Sequence, residues 1–480
     1  MTVLAPTPVK SGYWATVVAV GGASMTLPFS VTGAAVAMPS MAAQLGSSVG
    51  AAQWMLNAFN ITFAALPLAA GGLADRIGRR RVLLTGIGLV GLLSLLIALA
   101  PSMVLVDVAR AVQGCGAAAV LASGAAILAH STSGRRRQLA FGILGTCFGT
   151  GLAIGPLAAG ALVEVGGWRS VFLLVAAMAA PAWLCATRAP ESRDTNHPGI
   201  DVAGLVCFTA GLAVLSFALV EATTAGWTAP ATLVPLGIAV LLVALFAVVE
   251  VRRAERAMFD VRLYRRPEFL AVVCQPFTVT LGFVVLLVYL PAYLQGVGSR
   301  TVLDSGLLLL PMTTPVLLLP LIASRLAART SVRAVLTGAS VLIVVGGLLL
   351  TTVHSDSSWL ELALPLLPFG AGVGLAFGVM DNAAVSTVPV EKAGAAAGIF
   401  NTMRITGESV AVSGAAALLS TLIAAGPPSL EAAQAVQGHV AEAHRAVLAA
   451  GFTGAIHTLG VILAVLSTLG AVLTYLALKP

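Results

Sequence analysis

Fourteen apolar stretches of membrane-spanning length follow one another along this 480-residue chain. Sequence of that kind leaves very few folds open. The runs cover 14–37, 52–74, 82–100, 103–129, 138–163, 170–187, 200–222, 229–249, 268–293, 302–324, 333–353, 360–384, 395–423 and 453–478. Hydrophobic residues make up 58% of the chain and charged residues 9%, too little polarity to cover a water-soluble globule. Inside a bilayer every backbone polar group must be satisfied by a helix or a closed barrel. The runs are continuous and rich in Leu, Ala, Gly and Val, without the polar alternation of a barrel wall, so the expected fold is all-α and membrane-integral.

The net charge of +7 raises the question of nucleic acid, but the basic residues do not share one soluble face. They fall in alternate loops. With the N-terminus inside, 21 of the 26 Lys and Arg residues lie on the cytoplasmic side, among them Arg76, Arg79 to Arg81, Arg135 to Arg137 and the six arginines from Arg252 to Arg266. Arg169, Arg300 and Arg445 fall on the other side, and Arg110 and Arg404 lie within runs. This bias places both termini in the cytoplasm, with no nucleic-acid partner. Ala35-Val36-Ala37 could mimic a signal-peptidase site, but the first run is too long for a typical signal sequence.

Five scattered cysteines without CxxC spacing imply neither disulfides nor a metal. His439 and His444 share the last outer loop without completing a ligand set. No phosphate-binding GxxxxGK[ST] loop occurs, so neither nucleotide nor another cofactor is expected. The preference for arginine, 23 against 3 lysines, points to a GC-rich bacterial genome and hence to an inner membrane.

Leu73-Ala74-Asp75-Arg76-Ile77-Gly78-Arg79-Arg80-Arg81-Val82 recurs, weakened, as Leu326 to Val335, an offset of 253 residues. Pro39 is echoed by Pro291 at an offset of 252 and Gln44 by Gln295 at an offset of 251. Offsets this close indicate homologous halves, as in alternating-access carriers. The expected organisation is a six-helix bundle over 1–190, an inserted helix pair with a basic cytoplasmic loop over 191–267, and a second six-helix bundle over 268–480. The outer stretch 424–450 is expected to carry a short surface helix.

Three motifs then carry a family resemblance. Asp75-Arg76-Ile77-Gly78-Arg79-Arg80, Arg110-Ala-Val-Gln113-Gly114-Cys-Gly116, and Gly142-x8-Gly151-x3-Gly155-Pro156 resemble signatures of the major facilitator superfamily. Asp201-Val-Ala-Gly204, Trp227, Asp260-Val-Arg262-Leu-Tyr264 and Leu290-Pro291-x-Tyr293-Leu294-Gln295 are similar to its fourteen-span drug:proton antiporter branch. The resemblance implies two six-helix bundles plus two extra helices, no enzymatic activity, a monomer, and antiport associated with Gly151, Gly155 and Pro156. Two positions depart from the pattern: Ser30 stands where the branch usually has an acidic residue, and Ala122 replaces a usual proline.

The residues give their own reading. Gly72 and Gly78 permit a tight turn, Asp75 can pair with arginines, and Arg76, Arg79 and Arg80 hold the cytoplasmic face, either as a conformational gate or as topology anchors. In the fourth run Asp107, Arg110 and Gln113 share a face, suited to proton release from a nearby carboxylate or to a packed, neutralised pair. In the thirteenth, Asn401, Arg404 and Glu408 share a face, and Glu408 at i+4 from Arg404 is the leading proton-site candidate against a static ion pair. Asp381 and Asn382 are placed at the cytoplasmic interface. Ser30, Trp54, Asn57, Asn60, Gln113, Gln275, Tyr289 and Asn401 are candidates to line a mostly apolar cavity.

The expected function is proton-coupled export of amphipathic small molecules such as drugs, antibiotics or secondary metabolites, by alternating access across the bilayer. An uptake symporter of the same fold and a non-transporting sensor or enzyme are the alternatives.

Overall fold

The computed structural model describes residues 12–193, 202–252, 266–354, 356–390, 393–423 and 445–478. All regular elements among them are helical: α1 (Tyr13–Gln44), α2 (Val49–Ala52), α3 (Trp54–Ala65), α4 (Pro67–Ile77), α5 (Arg79–Ala98), α6 (Met103–Ser131), α7 (Gly134–Ala186), α8 (Val202–Ala225), α9 (Pro230–Arg252), α10 (Pro267–Gly296), α11 (Val302–Leu308), α12 (Leu310–Arg329), α13 (Val332–Leu349), α14 (Trp359–Phe377), α15 (Met380–Ser386), α16 (Ala393–Ile423) and α17 (Arg445–Ala477). The surface helix expected at 424–450 falls mostly outside the described residues, as do His439, His444, Asp201 and Asp260.

Twelve helical stretches are long and apolar enough to cross a bilayer, and α3 with α4 forms a thirteenth, bent by 52°. The bend follows from Pro67, which has no N–H for the helix ladder and opens α4. α7 runs 53 residues, about 80 Å at 1.5 Å per residue, more than twice a hydrocarbon core of about 30 Å. Gly167 breaks it with φ 70°, a left-handed value that a side chain would oppose, so α7 is long enough to hold two of the expected runs. The expected run 360–384 is likewise interrupted, at Gly378 and Val379, leaving α15 as a separate seven-residue helix. Polar side chains set several turns. Ser102 caps α6, Ser331 caps α13, and Ser358 with Glu361 forms a capping box on α14.

Two apolar cores divide the chain. One is built mainly from residues 17–186 and the other from residues 272–463, each dominated by Ala, Val, Leu and Phe with less than a tenth of their surface exposed. A third, smaller cluster joins Leu68 of α4 and Phe269 of α10 to Ile399 of α16, and Phe208 of α8 and Phe246 of α9 pack against it. The inserted pair α8–α9 thus leans on the seam between the halves.

Candidate functional site

At the seam, helices from the two halves approach so closely that only glycine fits. A Cβ on Gly398 would stand 2.6 Å from the Pro67 carbonyl oxygen, and one on Gly71 would overlap the Gly394 carbonyl. Into this contact reaches Asp75 from the last turn of α4. Its Oδ1 accepts from Arg79 Nε and lies 2.8 Å from Arg79 Nη2, with the two side chains only 2% and 1% exposed. Its Oδ2 accepts from the Ala395 backbone N–H of α16 at 3.1 Å, and Arg79 Nη2 donates to the Val390 carbonyl at 3.2 Å. The pair formed within one half therefore holds the other half by two backbone hydrogen bonds.

Gly78 makes the turn between α4 and α5, with φ 119°, while Gly72 lies inside α4 and makes no turn. A Cβ on Gly78 would also meet the Glu191 carboxylate at 2.8 Å. That carboxylate caps the Arg80 backbone N–H and stands 3.9 Å from both Arg80 and Arg81. Arg76, expected in the gate, is exposed.

The second cluster centres on Arg110 of α6, which is fully buried. It donates to Ser30 Oγ of α1 at 3.0 Å, Gln113 Oε1 at 2.7 Å and the Met55 carbonyl of α3 at 3.2 Å, and its guanidinium lies 4.1 Å from the centre of the Phe59 ring. Gln113 continues the network to Ser94 Oγ and the Val90 carbonyl of α5. Four helices of one half are tied to one cation, and all its acceptors are neutral. Among the described residues no ion pair joins Arg110 to Asp107, whose Oδ1 is buried without a hydrogen-bond partner. The shared face inferred from i, i+3 spacing does not become a contact, because Arg110 extends toward α1 and α3 instead.

The third cluster centres on Arg404 of α16. Its Nη2 donates to Asn401 Oδ1 at 2.6 Å, and its Nη1 lies 3.5 Å from Asp381 Oδ2 on α15. Phe148 of α7, in the other half, lies with its ring centre 4.5 Å from the guanidinium carbon. Two expectations change here. Asp381 is 8% exposed and faces a buried cation, not the membrane interface. Glu408 forms no ion pair with Arg404 among the described residues; the break at Gly378 and Val379 turns α15 so that Asp381 reaches the guanidinium first.

The glycines of α7 serve two contacts. Gly142 and Gly149 press on Ser324 and Val316 of α12, while Gly151 abuts the Met25 carbonyl and Gly155 the Thr32 hydroxyl of α1, just before Pro156. One glycine face thus meets the opposite half and the other meets α1.

Of the cavity candidates, most are consumed by packing. Gln275 donates to Thr474 Oγ1 of α17, Tyr289 donates to the Val412 carbonyl of α16 at 2.9 Å, and Asn401 donates to the Ala397 carbonyl at 2.9 Å while it serves Arg404. Trp54 is 37% exposed and stacks on Phe217 of the inserted α8, so it faces a helix outside the bundle. Asn57 and Asn60 are half-buried on α3. An apolar recess of about 320 Å³ lies elsewhere, between α4, α5 and α6, lined by Gly72, Leu73, Ile77, Thr85, Leu89 and Cys115 among others.

Sequence reasoning named Asp381 but put it at the interface, and it missed Glu191 and the glycines Gly394 and Gly398. The last two stand four apart among alanines, the small-xxx-small signal of close helix approach, and that signal was present to be read. Glu191 and Asp381 had no local signal, since their partners lie 111 and 23 residues away.

The comparisons with known proteins agree with this architecture. The multidrug resistance protein Stp of Mycobacterium tuberculosis (strain CDC 1551 / Oshkosh) is 30% identical over 414 residues, 84% of this chain and 76% of that protein. The methylenomycin A resistance protein of Streptomyces coelicolor is 31% identical over 405 residues, covering 84% and 85%. In three dimensions the proton:xylose symporter XylE superposes with a TM-score of 0.61 over 95% of both chains at 14% identity, a likeness of fold alone. With a model of the Major Facilitator Superfamily matching residues 18–412, the chain belongs to that superfamily and is a multi-pass membrane transporter.

Proposed function

We propose that this transporter is a proton-coupled exporter of amphipathic small molecules, drugs and antibiotics among them, that works by alternating access as a monomer in a bacterial cell membrane. The observation that carries alternating access is the seam at Asp75: two buried hydrogen bonds cross between halves whose backbones are in glycine contact, so the halves can part there without unfolding either core. The surplus of arginine at this end makes it cytoplasmic in our reading, with both termini on the same side. The closed seam then corresponds to a state shut toward the cytoplasm.

Export of drug-like molecules is supported by relatives named for multidrug and methylenomycin A resistance, which match across more than three quarters of their own length. The apolar recess of about 320 Å³ falls in the size range of small-molecule sites. Proton coupling is placed on the Arg404 cluster, where carboxyls meet a permanent cation between the halves. Arg110 keeps four helices of its half in register, with Asp107 one turn away as an acid facing the outer end. Gly151, Gly155 and Pro156 form the flexible face on which α1 and α7 rock.

The experiment is transport of ethidium and puromycin by purified protein in proteoliposomes, with and without an imposed pH gradient. The reading expects movement that rises with the gradient and collapses with a protonophore. Movement indifferent to the gradient removes proton coupling, and no movement of either compound or of a neutral antibiotic run beside them removes the drug-export assignment.

A further inference from the structure

The Arg404 cluster contains a charge imbalance on the seam itself. One guanidinium has two carboxyl groups near it in the chain fold, Asp381 on α15 and Glu408 one helical turn further along α16, and among the described residues only Asp381 is in ion-pair contact. That contact is single and 3.5 Å long, against 2.7–2.9 Å for a tight charge-assisted bond. The guanidinium Nε has no hydrogen-bond partner. Beside it lies a void of about 10 Å³, room for about one water, whose lining includes Ser24, Leu121 and Phe148 from one half and Phe377, Asp381 and Arg404 from the other. Ser24 Oγ of α1 is also buried without a partner.

These facts separate the two intramembrane arginines. Every group on Arg110 belongs to its own half, so movement between halves leaves its contacts intact. Arg404 has Asp381 and Asn401 on one side of the seam and Phe148 on the other. The Phe148 contact is therefore lost when the seam opens there, while Asp381 and Asn401 stay with the guanidinium. The break at Gly378 and Val379 leaves α15 a short separate helix, so Asp381 sits on a different element from the continuous α16 that carries Glu408.

We propose, resting on the proton-coupled reading above, that Asp381 is the acid whose protonation releases Arg404, and that Glu408 is the alternate partner the guanidinium then takes. In the described state Asp381 is ionised and holds Arg404, while Glu408, half-buried beside a cation already paired, carries a proton. When Asp381 takes a proton from the aqueous side, its bond to Arg404 is lost. The guanidinium moves toward Glu408, which gives up its proton to water as it becomes the counter-ion. One proton enters, one leaves, and Arg404 stays charged throughout. The other residues lining the void, Ser24, Leu121, Leu144, Gly145, Phe148 and Phe377, carry no charge, so there the guanidinium is balanced by Asp381.

The test is a distance measurement by double electron–electron resonance. Spin labels at Ser133 and Thr330, both exposed and in turns of opposite halves, go into protein lacking its five native cysteines, reconstituted in lipid without substrate. The parent is expected to shift its distance distribution between pH 5 and pH 9. Asp381→Asn is expected to lose that shift and keep one distribution throughout, and Asp381→Glu to restore a shift. Asp381→Asn that responds as the parent does overturns the assignment, as does Asp381→Glu that remains unresponsive while correctly inserted by circular dichroism and gel filtration. A parent with no shift at any pH instead overturns the proton-coupled reading on which the assignment stands.

Discussion

The seam at Asp75 offers the most quantitative prediction. Asp75→Asn preserves the size of the side chain and one acceptor oxygen but removes the charge. The Ala395 N–H bond then changes from one with a charged acceptor, worth about 1.5–3 kcal/mol, to a neutral one, worth about 0.5–1.5 kcal/mol. The closed state loses about 1 to 1.5 kcal/mol, which moves the closed-to-open ratio by about 5- to 13-fold. The Val390 bond adds to the change in the same direction, because Arg79 loses the carboxylate that orients it. A reporter cysteine introduced by Ala393→Cys and reacted with a hydrophilic maleimide reads the ratio, since that position on α16 is fully buried while the seam is shut. In a background without native cysteines, the variant is expected to label about 5- to 13-fold faster than the parent. Equal rates would mean that the Asp75 contacts do not hold the seam, and that the motif serves only to orient the chain in the membrane.

Three further changes follow from the same geometry. Gly398→Val places a branched side chain where a Cβ already stands 2.6 Å from the Pro67 carbonyl, so it should speed labelling of the same reporter cysteine at least as much as Asp75→Asn; slower labelling would show that the helices part elsewhere. Ser30→Asp puts a carboxylate against Arg110 Nη1, now 3.0 Å from the serine hydroxyl, and should raise gradient-driven ethidium transport; a rate unchanged from the parent would remove Ser30 from selectivity. Trp54→Ala removes the stack on Phe217 and should cost about 0.5–1.5 kcal/mol, visible as a lower melting temperature in detergent with puromycin transport intact, whereas loss of transport would return Trp54 to the substrate path.

What the sequence made legible was whatever depends on neighbours in the chain. Membrane helices are selected by local hydropathy, and the expected runs correspond to helices within several residues at most ends. The turn at Gly78 was readable because a glycine among arginines between apolar runs has few other uses. Bends were harder. Pro67 and the Gly378–Val379 break lie inside runs whose hydropathy is uninterrupted, and hydropathy carries no information on direction. The partners of buried charges were the least readable. Spacing places Glu408 one turn from Arg404, yet a long flexible guanidinium is satisfied by whichever acceptor the tertiary packing delivers, and α15 delivers Asp381. The same holds for Asp107 and Arg110, where neutral oxygens from α1 and α3 take the place of the sequence neighbour.

The two buried arginines show why the substitution at position 30 matters physically. A guanidinium with only neutral acceptors has no counter-ion in contact, whereas Arg404 is offset by Asp381. The field of an uncompensated charge is screened weakly in low dielectric and opposes entry of a second cation. On that reasoning this half of the bundle is expected to disfavour cationic cargo relative to neutral or anionic molecules without any residue touching them. A carboxylate at position 30 would cancel that field from a distance of one hydrogen bond. The Ser30→Asp experiment therefore separates two sources of selectivity: a gain confined to cationic compounds points to the field, while a change common to neutral and charged compounds points to altered packing of α1 against α6.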